Sequence, residues 1–222
     1  SDVCSSDLEG FGLTRIGRQA KALTIGSLYH EMMANLALGL EPKDALVETY
    51  TKLETELNQA RSLCNPETMS FDSGLPFEKY AKEQEEAFSF AKMLFTLSYE
   101  SFFSGIQEIQ RGQWKTLLVE TPIQISLSGI EAPLRCKPDL LLVTPDNKII
   151  IVDYKTASKP ISSLVASYRW DFQMLLMALI VSRYYAPQGY TVKGFLHCLI
   201  RKPTIKFPTR NSPTFDDYIV NC

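Results

Sequence analysis

From Thr24 to Leu40 the apolar residues Ile25, Leu28, Met32, Met33, Leu36 and Leu40 recur at helical spacing, with Gly39 as a stop signal. A second helix is predicted over Lys43 to Leu63, where Pro42 marks the start and Leu46, Tyr50, Leu53 and Leu57 share one face. A long third helix fits Pro76 to Ile109, and Gly112 ends the helical half of the chain. The period then changes. KTLLVETPIQISL, Lys115 to Leu127, reads as a strand with a Pro-marked irregularity. LRCKPDLLLVT and KIIIVDYK follow as a hairpin around Pro145, Asp146 and Asn147. SYRWDFQMLLMALIVSRYY, Ser167 to Tyr185, is a strongly apolar helix ended by Pro187 and Gly189, and Tyr190 to Ile200 is a last strand. The order is helices, three strands, a helix and a strand, which predicts an α/β fold without internal repeats.

Composition narrows the class. The 222 residues are 45% hydrophobic and 22% charged, as expected of a globular chain with one sizeable core. A net charge of −2 gives no global attraction to nucleic acid, so any basic surface is local. Arg15, Arg18 and Lys21 recur every three residues, and Arg201, Lys202, Lys206 and Arg210 follow the last strand without an acidic residue among them. Each group is a candidate DNA-binding patch or simply a solvated face. Five cysteines, odd in number and without a CxxC pair, argue against a disulfide framework and for a reducing, cytoplasmic compartment. The longest apolar run, Met174 to Val181, is too short to span a bilayer, and the start of the chain has no secretory pattern. Its first eight residues, SDVCSSDL, resemble a translated sequencing-adapter scar of the kind met in metagenomic gene fragments. They are expected to be a non-native leader, and the C-terminus is expected to be cut short.

The chemistry is at the strand ends. Alternation puts Asp153 and Lys155 on one face of their strand and Tyr154 on the other. Asp139 stands at the mouth of the neighbouring strand and brings a second carboxylate beside Asp153. Two adjacent carboxylates repel unless a cation lies between them, which suits a hard divalent ion. A nearby ammonium can then orient or deprotonate an attacking water, the equipment of metal-assisted phosphodiester hydrolysis. The plainer alternative is a terminal Asp153–Lys155 ion pair with Pro-Asp as turn chemistry. His30 borders the apolar stripe of the first predicted helix on the side of Ala34 and Ala37, while His197 has no partner motif and reads as structural.

Pro138-Asp139, thirteen intervening residues and Asp153-Tyr154-Lys155 together resemble the PD-(D/E)xK nuclease signature. The element order is similar to that superfamily's restriction-endonuclease-like core: helix, three-stranded mixed sheet, helix, strand, here with an additional helical region. GSLYH, Gly26 to His30, resembles the GxxxH motif of the RecB-like exonuclease branch, which includes phage and CRISPR-adaptation nucleases, and Gln173 resembles the first residue of its QxxxY motif. The Tyr of that motif is Met177 here, which leaves its DNA contact unfilled. The resemblance implies that His30, Asp139, Asp153 and the Tyr154 backbone carbonyl ligate Mg²⁺ or Mn²⁺, with Glu120 approaching the same site. It implies Lys155 and Gln173 as further catalytic groups. It suggests an exonuclease of recombination, repair or phage DNA processing, in a bacterial or phage-infected cell, acting on DNA with a helicase or recombination protein as partner. No iron–sulfur cluster is expected, because only Cys198 and Cys222 follow the catalytic strand region at a distance from one another. Residues 9–222 read as one nuclease domain with a helical insertion over 43–112 and a catalytic core over 113–200. The rival readings are an inactive DNA- or helicase-binding module of the same fold and a structure-specific endonuclease.

Overall fold

The computed structural model of the chain describes residues 21–105, 111–129, 131–157 and 171–201. Three helices come first: α1 (Lys21–Ala37), α2 (Pro42–Ser62) and α3 (Phe77–Gly105). Five strands follow: β1 (Lys115–Val119), β2 (Ile123–Ile125), β3 (Leu134–Cys136), β4 (Leu140–Val143) and β5 (Lys148–Ala157). α4 (Phe172–Tyr185), a short 3-10 turn and β6 (Thr191–Arg201) complete the order. Among the described residues no helix is long and apolar enough to cross a membrane.

The main sheet is mixed, in the order β1-β4-β5-β6. β1–β4 and β4–β5 pair antiparallel, whereas β5 and β6 run parallel, joined through α4 as a parallel pair requires. β5 is central and almost wholly buried, so it reads as a continuous apolar run rather than an alternating one. Its Ile150, Val152 and Tyr154 pack with Leu140 and Leu142 against α1 and α3. Ile149 and Ile151 face the other way, into a cluster with Met177, Ile180, Val181 and Tyr185 of α4. Along β5–β6 the register shifts between Ile149 and Ile150, which pair with Val192 and Gly194, so Lys193 is the extra residue of an irregularity.

Three details depart from the expected elements. The strand expected over Lys115 to Leu127 ends at Val119 and resumes as β2, because Pro122 interrupts it. The one expected from Leu134 likewise breaks at Lys137-Pro138-Asp139, and β2 and β3 form a separate ribbon with Ile123 buried against the α4 cluster. α2 turns Ala45, Thr49 and Leu53 inward and leaves Tyr50 exposed, so the buried face is rotated from the expected Leu46–Tyr50–Leu53–Leu57 stripe. Small residues win there because they bring α2 close to α1, where Asn35 Nδ2 donates to Thr49 Oγ1 at 3.2 Å. The last helix is described from Phe172 and its expected first residues lie outside the described range.

Candidate metal centre

His30 is on α1, one residue after the fully buried Tyr29. Its ring lies edge-on to that of Tyr154, with centroids 5.9 Å apart, which places the imidazole over the end of β5. Glu120 and Asp139 reach it from the adjoining ends of β1 and β4. His30 Nδ1 is 3.4 Å from Asp139 Oδ1 and 3.8 Å from Glu120 Oε1. The backbone builds this convergence. Glu120 N–H donates to the Asp139 carbonyl at 3.0 Å, so the β1–β4 ladder continues one pair past its last residues. Asp139 in turn accepts from the Tyr154 N–H through Oδ2 at 2.7 Å, tying the PD corner to β5. Glu120 has a positive φ of 44°, left-handed backbone that costs a non-glycine residue about 1–2 kcal/mol. Lys137 Nζ holds its Oε2 at 2.7 Å.

The charges follow from this packing. Burial alone would push the His30 imidazolium down, but the hydrogen bonds and negative charges of Asp139 and Glu120 outweigh it and raise its pKa to about 9. Burial similarly opposes the Glu120 carboxylate, yet His30 and Lys137 hold its pKa below the usual value. Among the described residues, His30, Glu120 and Asp139 are the group whose ligand atoms all lie within 4.8 Å of one another. Two carboxylate oxygens and an imidazole nitrogen form a donor set that fits a divalent ion of the Mg²⁺–Mn²⁺ kind.

Asp153 lies on the opposite, α4-facing side of β5. It is 4% exposed and its two oxygens are taken from two sides. Lys155 Nζ is 2.9 Å from Oδ1, and His197 Nδ1 of β6 is 3.3 Å from Oδ2. Asp139 and Asp153 are linked through the Tyr154 peptide, whose N–H Asp139 accepts, and among the described residues the carboxylate grouped with Asp139 and His30 is that of Glu120. Tyr154 itself is a core side chain. Gln173 is exposed in the first turn of α4, where its backbone N–H donates to the N-cap Asp171 at 2.8 Å. Arg201 is exposed at the end of β6, and Lys21 begins α1. Arg15, Arg18, Lys202, Lys206 and Arg210 lie outside the described residues, as does the SDVCSSDL leader.

Two contacts escaped the sequence reading. His197 meets Asp153 only through the parallel register of β5 and β6, which no local motif reveals. Lys137 precedes the PD pair, but its grip on Glu120 depends on the β1–β4 pairing.

No curated protein sequence matches the chain. The family model of the PD-(D/E)XK nuclease superfamily matches residues 8–218, nearly the whole length. The mixed sheet flanked by helices, the acidic and imidazole donors gathered at the strand ends and this match agree: the chain belongs to the PD-(D/E)XK nuclease superfamily, whose members are metal-dependent nucleases.

Proposed function

We propose that the protein is a Mg²⁺- or Mn²⁺-dependent deoxyribonuclease of the RecB-like branch that removes nucleotides from DNA ends. In this reading it serves recombination, repair or phage DNA processing in the cytoplasm of a bacterial or phage-infected cell, beside a helicase or recombination protein. The observation that carries it is the convergence of His30, Glu120 and Asp139 at the end of the β1–β4 pair, one strand from Lys155.

His30, Glu120 and Asp139 would hold the ion beside the Tyr154 carbonyl, and Asp153, whose oxygens meet Lys155 and His197, would join them by exchanging Lys155 for the ion at Oδ1. A divalent ion there supplies Lewis acidity to a phosphate oxygen and acidifies a water. Lys155 orients the attacking water and offsets the charge that develops on the phosphate. The peptide of Tyr154, donating to Asp139, fixes one carboxylate so that it need not reorganise during reaction. Gln173, exposed on the first turn of α4, is free to hydrogen-bond the DNA backbone.

The Asp153–Lys155 contact is also what an inactive scaffold of the same fold would retain. A nuclease assay on end-labelled linear and covalently closed circular DNA, with and without Mn²⁺, separates the readings. Mn²⁺-dependent loss of linear DNA alone is expected. Cleavage of the circle would point to an endonuclease, and no cleavage of either to a binding module.

A further inference from the structure

We propose that His197 is a positioning residue for Asp153, acting through the carboxylate and not on DNA. The inference rests on the reading above that Asp153 belongs to the hydrolytic site.

The register of the parallel pair sets Asp153 of β5 directly beside His197 of β6. His197 Nδ1 is 3.3 Å from Asp153 Oδ2. A carboxylate oxygen accepts, so His197 serves this contact as donor in the tautomer that carries its proton on Nδ1. The ring has an aromatic neighbour on its own strand. It lies nearly parallel to Phe195, two residues earlier on the same face, with centroids 6.2 Å apart and planes 16° apart. Lys155 approaches the other oxygen, Oδ1, at 2.9 Å. Asp153 is thus contacted from its own strand by Lys155 and from the neighbouring strand by the His197 imidazole. With Oδ2 facing His197 and Oδ1 facing Lys155, a cation held by Asp153 would compete with Lys155 for Oδ1. Groups that hydrogen-bond a metal-ligating carboxylate typically change metal affinity or activity 10–100-fold when removed.

A purely packing role is separable from this one by substitution. His197→Phe keeps an aromatic ring beside Phe195 and removes the donor. His197→Asn keeps a donor nitrogen near the position of Nδ1 and removes the ring. The experiment measures Mn²⁺ affinity by calorimetry, melting temperature, and kcat and KM on linear DNA for both variants and for Asp153→Asn. His197→Phe is expected to lose roughly 10-fold or more in Mn²⁺ affinity and in kcat, with KM for DNA unchanged. His197→Asn is expected to return to within a few-fold of the parent, even with a lower melting temperature. Parental metal affinity and kcat in His197→Phe would overturn the proposal, as would a folded His197→Asn no better than His197→Phe. If His197→Phe fails to fold, the comparison of His197→Asn with Asp153→Asn carries the test: near-parental values in the first and loss in the second are expected, and equal loss in both overturns it. If Asp153→Asn itself binds Mn²⁺ and cleaves as the parent does, the assignment of Asp153 to the site fails, and the role of His197 with it.

Discussion

His30 is held as an imidazolium in metal-free protein because two carboxylates face it, and its raised pKa of about 9 makes that charge a contribution to stability. For a raised pKa the contribution is complete below the unfolded value of about 6.5 and is lost as pH rises through about 9. In chelator, the melting temperature should therefore fall between those limits, and His30→Gln should flatten that part of the profile; an unchanged slope would show that His30 is not paired. In the proposed function the neighbours Asp153 and Lys155 would divide the labour. Asp153→Asn should lower Mn²⁺ affinity and cleavage together, whereas Lys155→Ala should bind the ion at least as well and still cleave roughly 10²-fold more slowly. Metal titration with single-turnover cleavage checks both, and near-parental cleavage by Lys155→Ala would remove Lys155 from the chemistry. Tyr154 gives a third case. Its hydroxyl is buried without a hydrogen-bond partner among the described residues. An unsatisfied buried hydroxyl costs about 1–3 kcal/mol, so Tyr154→Phe should melt at or above the parental temperature. At this scale the sequence spoke through spacing: PD, DYK and GSLYH are local. The places of Lys137 and His197 were silent, because each touches its carboxylate only across a strand pair.

α1 carries the GSLYH stretch, and Gly26 is the residue in it whose need the helix itself does not explain. A Cβ added there would meet Thr156 Oγ1 at 3.6 Å, an ordinary contact. Alanine should fit and, by relieving the entropy of a helical glycine, stabilise the protein by about 0.5–1 kcal/mol. Thermal melts of Gly26→Ala check this. A stable variant with weakened DNA cleavage would mean that Gly26 is there for close approach of the substrate. The long periodic segments were legible as helices because burial follows their period, α1 and α3 above all. The middle of the chain was less so. Pro122 and Pro138 each sit within a run that reads as one strand, and apolar alternation continues through them. Only the pairing partners decide that β1 and β4 enter the main sheet while β2 and β3 form the ribbon on α4. The rotated face of α2 has a similar cause, since close approach to α1 favours Ala45 and Thr49 over larger side chains that the periodicity ranks higher.

Across the whole molecule the candidate metal centre joins α1, β1 and β4, elements that are distant in sequence. An ion bound there bridges them in the folded state and has no preformed site in the unfolded chain. At one hundred times its Kd it should stabilise the protein by about 2.7 kcal/mol, raising the melting temperature by about 5–10 °C. Asp139→Asn should abolish the shift, and a parental shift in that variant would place the ion elsewhere. Helix-then-sheet order followed from the pattern along the chain and the mixed sheet from the family resemblance, whereas strand registers followed from neither, being set by three-dimensional pairing. The register of β6 is where this matters for folding. Had the strand run on from Val192 without Lys193 as an extra residue, Leu196 would stand opposite Asp153. The buried carboxylate would then keep Lys155 of its own strand but lose its His197 partner to an alkyl side chain, and a buried hydrogen bond left unmade costs about 1–3 kcal/mol. The slipped alignment is penalised at one residue pair, so the contact between Asp153 and His197 acts as a phase lock, excluding a competing pairing of two otherwise apolar and permissive strands.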